Sequence, residues 1–327
     1  MMLHRKLAIV AASAVLAAAV PTPSFGQDNW PSRTVTIIVP NDPGTGTDLG
    51  ARLFAAAWSK EFGQSFVVEN VPGAANTIGA AKAAESKPDG YTLLHAPLSS
   101  IVLAPLTKKD LSYSTDDFAP VGQTGVASNT LVVNPKKLPV ANFQELLDEL
   151  KKNPGKYNYS SGGAGGLSHL MHELLMTDAG VEITHIPYTS SPEATRALVA
   201  GEVDLAIIST TPILPFVETG ELKALAVAQS DRIAELPDVP SIHEIVPKYE
   251  GVSNWNGIFA PKGTDPAIID KLSTTLVAYL ETQEGKDAMA KIGVLAAPSS
   301  AADFSALVKK DTETWHGVIE GIGLLAN

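Results

Sequence analysis

The sequence predicts an α/β fold of two lobes, each built around a mostly parallel sheet. One observation is residues 34–60, where β-branched residues alternate, a Pro- and Gly-rich loop follows, and apolar residues then recur at helical spacing. The same order of strand, loop and helix recurs along the chain, which is typical of parallel sheets with helical crossovers. The length of 327 residues, 301 of them beyond Gly26, is enough for two lobes with separate cores.

The predicted elements follow one another in a regular order. Asn142 is the predicted N-cap of a helix through residue 153, with Glu145 at capping-box spacing, and Ser191 is the predicted N-cap of another, with Pro192 at its first position. The predicted strands are residues 35–39, 66–70, 91–96, 130–134, 157–161, 182–188, 203–209, 222–228 and 251–261. Further helices are predicted near residues 168–178, 266–281, 284–292 and 301–319.

The best division of these elements into lobes is discontinuous. The chain is expected to leave the first lobe near residue 128 and to return to it near residue 253. The first lobe then comprises residues 27–128 plus 253–327, and the second comprises residues 129–252. Two segments therefore cross between the lobes and are predicted to form a hinge.

The N-terminus predicts export. Arg5 and Lys6 precede an apolar run over residues 7–20, and residues 21–26 end it with the small residues that a signal peptidase requires. The run is too short for a permanent membrane anchor, so residues 1–26 are predicted to be a cleaved signal peptide and the mature chain to be periplasmic. The absence of cysteine excludes disulfides and a lipid-modified cysteine. Loss of Arg5 and Lys6 leaves a net charge of −13, which argues against nucleic-acid binding.

Five predicted loops share a composition suited to anions. Gly, Ser, Thr and Asn dominate each loop, each follows a strand, and four of them open a helix, where unpaired N–H groups and the helix dipole favour negative charge. Four to six charge-assisted hydrogen bonds of about 1.5–3 kcal/mol each would hold a micromolar ligand without any Arg or Lys. The alternative for the first loop is that Thr47 or Asp48 only caps the helix. The loops are PNDPGTGTD (40–48), NVPGAANTIG (70–79), APLSS (96–100), SSGGAGGLSH (160–169) and PYTSSPE (187–193).

Motifs for catalysis, nucleotides and metals are missing from the sequence. GTGTDLG lacks the third glycine of a dinucleotide fingerprint, no P-loop occurs, and GLSHL lacks the closing glycine of a nucleophile elbow. HLMHE places His169 and His172 three residues apart in neither zinc-protease order, so we expect His172 on the helix surface and His169 as a hydrogen-bonding group in the cleft. Trp255 is expected to pack in the core, and a position that lines the cleft stays open as the alternative. No catalytic residue, metal or cofactor is predicted.

The order and spacing of several segments resemble the Bug family, the periplasmic substrate-binding proteins of tripartite tricarboxylate transporters. The resemblance extends over nearly the whole mature chain and includes VPNDPGTGTDLGAR, VVENVPGAANTIGA, KPDGYTLL, NPGKYNYSSGGAGGLSHL, HIPYTSSPEA, GEVDLAI and WNGIFAPKGT. It implies a type II "Venus flytrap", which closes on a small carboxylated solute and passes it to a membrane permease. The expected partners are the carboxylate ligand and the membrane permease, nucleic acid is not expected to bind, and the protein is expected to be monomeric.

The resemblance also implies the ligand-binding residues. Loops 43–48 and 161–169 would grip one carboxylate through backbone N–H groups and water, and loops 74–77 and 188–190 would complete the pocket. The family often has an Asp where this chain has Ile208, followed by Ser209, and this difference favours a dicarboxylate or an aromatic carboxylate such as terephthalate over an amino acid. The predicted residues are Pro43, Gly44, Thr45, Gly46, Thr47, Asp48, Ala74, Ala75, Asn76, Thr77, Ser99, Ser161, Gly162, Gly163, Ala164, Ser168, His169, Tyr188, Thr189, Ser190, Ile208 and Ser209.

Two rival functions stay open at the level of the sequence. One is a periplasmic enzyme that uses His169 and Asp48 as acid and base. The other is a ligand-sensing partner of a receptor or kinase ectodomain, since sensing and transport both use the ligand-bound, closed form.

Overall fold

A computed structural model describes residues 30–74 and 76–326. Nine of its strands lie close to the nine that the sequence predicts, whereas the strands at 118–127 and 295–296 are not among the predicted ones. From Pro31 onward the chain forms one compact unit. The strands are β1 (Val35–Val39), β2 (Phe66–Asn70), β3 (Thr92–Pro97), β4 (Phe118–Ala127), β5 (Asn129–Val133), β6 (Asn158–Ser161), β7 (Thr184–Pro187), β8 (Leu205–Ser209), β9 (Lys223–Val227), β10 (Asn254–Pro261) and β11 (Leu295–Ala296). The predicted signal peptide, residues 1–26, lies outside the described residues.

Eleven α-helices lie in the described part of the chain. They are α1 (Gly46–Phe62), α2 (Thr77–Ala84), α3 (Ala104–Thr107), α4 (Phe143–Lys152), α5 (Leu167–Ala179), α6 (Ser191–Ala200), α7 (Leu214–Glu218), α8 (Ile242–Ile245), α9 (Pro266–Glu281), α10 (Gln283–Lys291) and α11 (Ala301–Gly321). The APLSS loop leads into a π-helical turn, Ser99–Leu103, that continues into α3. No helix within residues 30–74 and 76–326 has the length and apolar character that a membrane span requires.

The strands form two separate sheets. The first has the order β11-β4-β10-β3-β1-β2 and the second has the order β7-β6-β8-β5-β9. In the first sheet β1 is parallel to β2 and β3, whereas β10 is antiparallel to both β3 and β4. In the second sheet β6 is parallel to β7 and β8, and β5 is antiparallel to β8 and β9. Most strands of each sheet thus point the same way, and the reversed strands are β10 and β11 in the first sheet and β5 in the second. Of these, β5 and β10 are the strands that directly follow the crossings between the sheets.

The chain passes between the sheets at two places. β4 ends at Ala127 and β5 begins at Asn129, while the return segment enters β10 at Asn254. The Gln229 side chain bridges the first crossing, since its Nε2 donates to Ala127 O (3.3 Å) and its Oε1 accepts from Asn129 N (3.4 Å). Val252 N donates to Ala228 O at 2.8 Å and ties the second crossing to the end of β9.

Helix starts follow the predicted chemistry with shifts of one or two residues. Asn142 caps α4 as predicted: its Oδ1 accepts from Glu145 N at 2.9 Å, and Glu145 Oε2 accepts from Ala141 N. The prediction that Ser191 caps α6 is wrong, because Ser190 is the N-cap and its hydroxyl accepts from Glu193 N. Residues 190 and 191 are both serines. Glu193 Oε2 also accepts a hydrogen bond from Thr189 N, which stabilises the start of the helix at Ser190.

The main hydrophobic core, a cluster that includes residues of both sheets, is tightly packed where β10 meets α11. Trp255 is fully buried, lies edge-on to Phe304 with ring centroids 5.1 Å apart, and donates from Nε1 to Asp311 Oδ2 at 2.7 Å. The predicted packing role of Trp255 is therefore confirmed. Gly257 lies under the same ring, and a Cβ there would be 2.1 Å from Phe304 Cζ. Only glycine allows the strand and the helix to approach this closely.

We predict that Gly257→Ala destabilises the protein. The added methyl group overlaps a buried ring, and overpacking of this kind typically costs about 1–3 kcal/mol. Gly317→Ala is the matched control, because Gly317 is an exposed position of α11 with no atom within 4 Å of its Cβ direction. In the control, helix propensity should raise the free energy of unfolding by about 0.5–1 kcal/mol. Urea unfolding followed by circular dichroism measures both; an unchanged midpoint for Gly257→Ala would contradict this packing.

Candidate ligand-binding cleft

A cleft of about 850 Å³ opens where loops and helix starts of both sheets meet. Its walls combine hydroxyl and amide groups with apolar side chains. From the first lobe the lining residues are Asn76, Ser99 and Asn254. From the second lobe they are Asn129, Gly162, Gly166, Leu167, Ser168, Met171, Ser191, Pro192, Thr195, Arg196, Val199, Ala200, Ile208, Ser209, Pro212 and Phe216.

The cleft brings together only part of the predicted set. The predicted residues that line it are Asn76, Ser99, Gly162, Ser168, Ile208 and Ser209. Those that lie outside its lining are Pro43, Gly44, Thr45, Gly46, Thr47, Asp48, Ala74, Thr77, Ser161, Gly163, Ala164, His169, Tyr188, Thr189 and Ser190. Ala75 lies outside the described residues.

The loop before α1 binds its own carboxylate. Gly44 N donates to Asp48 Oδ2 at 2.8 Å, and the same carboxylate pairs with the Arg52 guanidinium at 2.9 Å. Burial acts to raise the pKa of Asp48, but hydrogen bonds from Arg52, Gly44 and Asn70 outweigh it and lower the pKa overall. The capping residue is Thr45 rather than Thr47 or Asp48, since the Thr45 hydroxyl accepts from Asp48 N at 3.4 Å. The Asp48 carboxylate therefore occupies the Gly44 N–H group, which the sequence analysis expected to bind a ligand anion.

The starts of α2 and α5 differ from those of α1 and α6. Within the described residues, neither Asn76 at the start of α2 nor Gly166 at the start of α5 makes a side-chain capping hydrogen bond. The first N–H groups of a helix have no partner inside the helix, so a missing cap leaves them for another acceptor. Asn76 and Gly166 both line the cleft. Two uncapped helix starts, one from each lobe, thus share one cavity.

The glycine loop before α5, residues 162–166, contains positive φ angles that residues other than glycine rarely adopt. Gly163 and Gly165 have φ values of 130° and 74°. Gly162 abuts the start of α6, where an added Cβ would lie 2.9 Å from Ser191 N. Across the cleft, Asn76 has a φ of 71° and opens α2. A left-handed non-glycine residue at a helix start in a cavity is the kind of strain that concentrates at binding sites.

Three histidines and a tyrosine stack behind this loop. The ring of Tyr159 lies 3.9 Å from that of His172 and 4.8 Å from that of His185, and His169 stacks on His185 at 4.0 Å. Glu173 closes the stack, accepting from Tyr159 Oη at 2.8 Å with His169 Nε2 at 3.4 Å. Gly165 N donates to His169 Nδ1 at 3.0 Å. His169 therefore supports the glycine loop from behind instead of lining the cleft.

His172 is fully buried, so its predicted position on the helix surface is wrong. Ile207 N donates to its Nε2 at 3.0 Å, and its Nδ1 lies 2.7 Å from Ser168 O, so the bonded ring is neutral. Burial lowers the pKa of His172 to about 3, and burial also lowers the pKa of His185 to about 4. The sequence HLMHE is too short to show which face of α5 is buried, so the burial of His172 could not be predicted from it.

We predict that acid destabilises the protein through His172. A folded-state pKa of about 3 against an ordinary 6.5 means that the unfolded chain binds the extra proton, so stability falls as the pH decreases from about 6.5 toward 3. Each pH unit in this window removes up to about 1.4 kcal/mol for this group. Urea unfolding at pH 7, 6 and 5 should show a shallower pH dependence in His172→Gln than in the wild type. Equal slopes would contradict the assignment.

The sequence interpretation missed the contribution of α6. Pro192, Thr195, Arg196 and Val199 line the cleft at positions i, i+3, i+4 and i+7, which form one helix face. Among the described residues that line the cleft, Arg196 is the only one with a charge. The cleft lining therefore includes an arginine that the interpretation of the loops left out, although the periodicity of α6 is visible in the sequence.

Comparisons with known proteins agree on one family. The family model described as "Tripartite tricarboxylate transporter family receptor" (TctC) matches residues 50–324. Protein BugT of Bordetella pertussis is 33% identical over 301 residues, which cover 90% of this chain and 91% of BugT. A solved structure described as "R. palustris Rpa4515 with adipate" has a TM-score of 0.77 and 34% identity, and the match covers 91% of this chain and 99% of that one.

A second solved structure, MatC from Rhodopseudomonas palustris with bound malate, has a TM-score of 0.72 and 29% identity. This match covers 89% of the present chain and 100% of MatC. Together with the two sheets, these structures confirm the predicted two-lobed α/β fold of a periplasmic binding protein.

Proposed function

This chain belongs to the TctC family of tripartite tricarboxylate transporter receptors, as its resemblance to the Bug family predicted, and we propose that it captures a dicarboxylate or an aromatic carboxylate such as terephthalate. The solute binds in the cleft between the lobes and is delivered to the permease of a tripartite transporter. The protein acts in the periplasm, after cleavage of residues 1–26, as a monomer and without catalysis.

The observation that supports this proposal best is the pair of uncapped helix starts, α2 and α5, that share the cleft. Backbone N–H groups at such starts bind carboxylates, and the helix dipoles add to the attraction. The hydroxyl groups of Ser99 and Ser209 line the same cavity. Because α2 belongs to one lobe and α5 to the other, the carboxylate binds both and favours the closed form.

The charge of the cleft favours an acid over an amino acid. Among the described lining residues there is no Asp or Glu, and Arg196 supplies one positive charge. The ammonium group of an amino acid would lose its water without gaining a carboxylate partner, which is costly in a closed site. Ile208 lines the cleft where its family often carries an Asp, and it offers an apolar contact instead. Adipate and malate are the ligands of the related structures, and both are dicarboxylates.

The lobes that close on the ligand are residues 27–128 plus 253–327 and residues 129–252. The strand order supports these bounds, because the sheets exchange at residue 128 and again just before Asn254. Within the binding set we place Asn76, Ser99, Gly162, Ser168 and the 208–209 pair in contact with the solute. Loop 43–48, Thr77, Tyr188, Thr189 and Ser190 complete the surrounding structure.

The rival acid–base pair has poor support. Asp48 is bound to Gly44 N, Arg52 and Asn70, and His169 is bound to Gly165 N and lies against Glu173. Neither residue lines the cleft. A solute in the cleft would therefore meet neither proposed catalytic group, which supports a receptor without enzymatic activity.

Calorimetric titration of the mature protein with adipate, terephthalate, malate and glutamate tests the proposed function. We expect at least one of the three dicarboxylates that lack an ammonium group to bind with micromolar or tighter affinity and glutamate to bind far more weakly. Strong binding of glutamate, with no response to the others, would refute the proposal.

We predict that Gly166→Asp abolishes ligand binding without unfolding the protein. Gly166 has the extended backbone of an N-cap, with φ −76° and ψ 162°, so Asp can cap α5 with its own carboxylate. Its Cβ would lie 3.2 Å from Gly163 O, so the loop must shift by a few tenths of an ångström, and the stability of the variant is measured beside its affinity. That carboxylate occupies the N–H groups and repels an anion, which should weaken binding by about 100-fold or more.

Gly166→Asn is the matched control for charge, because its neutral amide caps the helix with the same shape. It should weaken binding less than Gly166→Asp at equal thermal stability. Equal affinities of the wild type and Gly166→Asp would show that the start of α5 does not hold the ligand.

A further inference from the structure

The guanidinium of Arg196 stands out in the cleft because it makes no ion pair or hydrogen bond with any other described residue. Its residue is exposed, and it takes part in none of the ion pairs found among residues 30–74 and 76–326. Glu193, the acidic residue of α6, attracts Arg196 electrostatically without forming an ion pair, and its carboxylate accepts hydrogen bonds from Thr189 N at 3.1 Å and from the Thr189 hydroxyl. An unpaired arginine in a cavity without acidic residues is available to an anionic ligand.

Helix α6 sets the distance between Arg196 and the glycine loop. The start of α6 abuts Gly162, since a Cβ on Gly162 would be 2.9 Å from Ser191 N. Arg196 lies five residues further along the helix, a rise of about 7.5 Å at 1.5 Å per residue. The two groups that attract anions, the start of α5 and Arg196, are therefore at different positions along the cleft.

Apolar side chains share the cavity with these two groups. Leu167 and Met171 lie one turn apart on α5, Val199 lies one turn beyond Thr195 on α6, and Phe216 comes from α7. A hydroxyl group of a ligand placed against them would lose its hydrogen bonds to water, whereas a hydrocarbon frame or an aromatic ring would gain apolar contact.

We propose that Arg196 binds the second carboxylate of a diacid whose first carboxylate is held at the start of α5, and that the apolar wall of the cavity, formed by Leu167, Met171, Val199 and Phe216, selects an unsubstituted aliphatic or aromatic spacer. This proposal rests on the proposed function, because it assumes that the cleft holds a carboxylate. It makes Arg196 a specificity-determining residue: arginine binds a carboxylate in a bidentate manner, and short hydroxylated diacids cannot satisfy both ends and the apolar wall together.

Two matched ligand pairs test the role of Arg196. Adipate and hexanoate share an aliphatic chain and differ in the second carboxylate, and terephthalate and benzoate differ in the same way on a ring. In the wild type the diacid of at least one pair should bind more tightly than its monoacid. Arg196→Met should weaken that diacid by about 10- to 100-fold, the equivalent of a charge-assisted hydrogen bond, and leave the monoacid unchanged. Arg196→Lys should retain part of the affinity for the diacid.

Lys309→Met is the control for net charge, since Lys309 is an exposed residue of α11 that does not line the cleft. It should leave both affinities unchanged. If Arg196→Met weakens diacid and monoacid equally, or no more than Lys309→Met does, the second-carboxylate role is overturned while the proposed function stands. If the wild type binds none of the four acids, this proposal falls, and the proposed function falls with it unless malate binds. Which pair shows the difference tells whether the spacer is aliphatic or aromatic.

Discussion

The interaction on which the account depends is that between an acid and backbone N–H groups left without a cap at the starts of α2 and α5. Protein helices usually satisfy these groups with a nearby side chain, as Thr45 does for α1 and Ser190 does for α6. Where the cap is missing and the helix start faces a cavity, the unmet hydrogen-bonding capacity becomes available for binding. The rest of the fold holds two such starts opposite each other.

Several packing features maintain this arrangement. The glycine loop takes backbone shapes that need Gly163 and Gly165, and Gly162 allows α6 to approach the loop. Behind the loop, the stacked rings of Tyr159, His172, His185 and His169 support the backbone. The anionic character of the whole chain opposes an acidic ligand, so the attraction must act at short range within the cleft.

Much of the fold could be predicted from the sequence, because strands, loops and helices alternate with clear periodicity. The composition of loops also pointed to an anion, but composition could not tell which loop is occupied. PGTGTD and GGAGGL are similar in composition, yet Asp48 folds back onto Gly44 in the first loop, while the second has no acidic residue nearby in sequence. The difference is a side-chain rotamer and a local hydrogen bond, which a count of Gly, Ser and Thr does not contain.

Arg196 was missed for a different reason. The prediction of the site considered loops and not helix faces. Ala194, Ala197 and Leu198 pack one face of α6 into the core, and this packing turns the opposite face, with Arg196, toward the cleft. His172 was misplaced by the same limitation, because the burial of α5 is set by the second sheet. Local pattern thus predicted the elements and their chemistry, and tertiary contacts decided which groups meet.

The most direct test is a crystal structure of the mature protein with the tighter binder of adipate and terephthalate. The account predicts one carboxylate within hydrogen-bonding distance of the first backbone N–H groups of α5, with the lobes closed so that the start of α2 approaches it. A carboxylate bound only by side chains, or seated at the loop before α1 with the start of α5 facing solvent, would contradict the account.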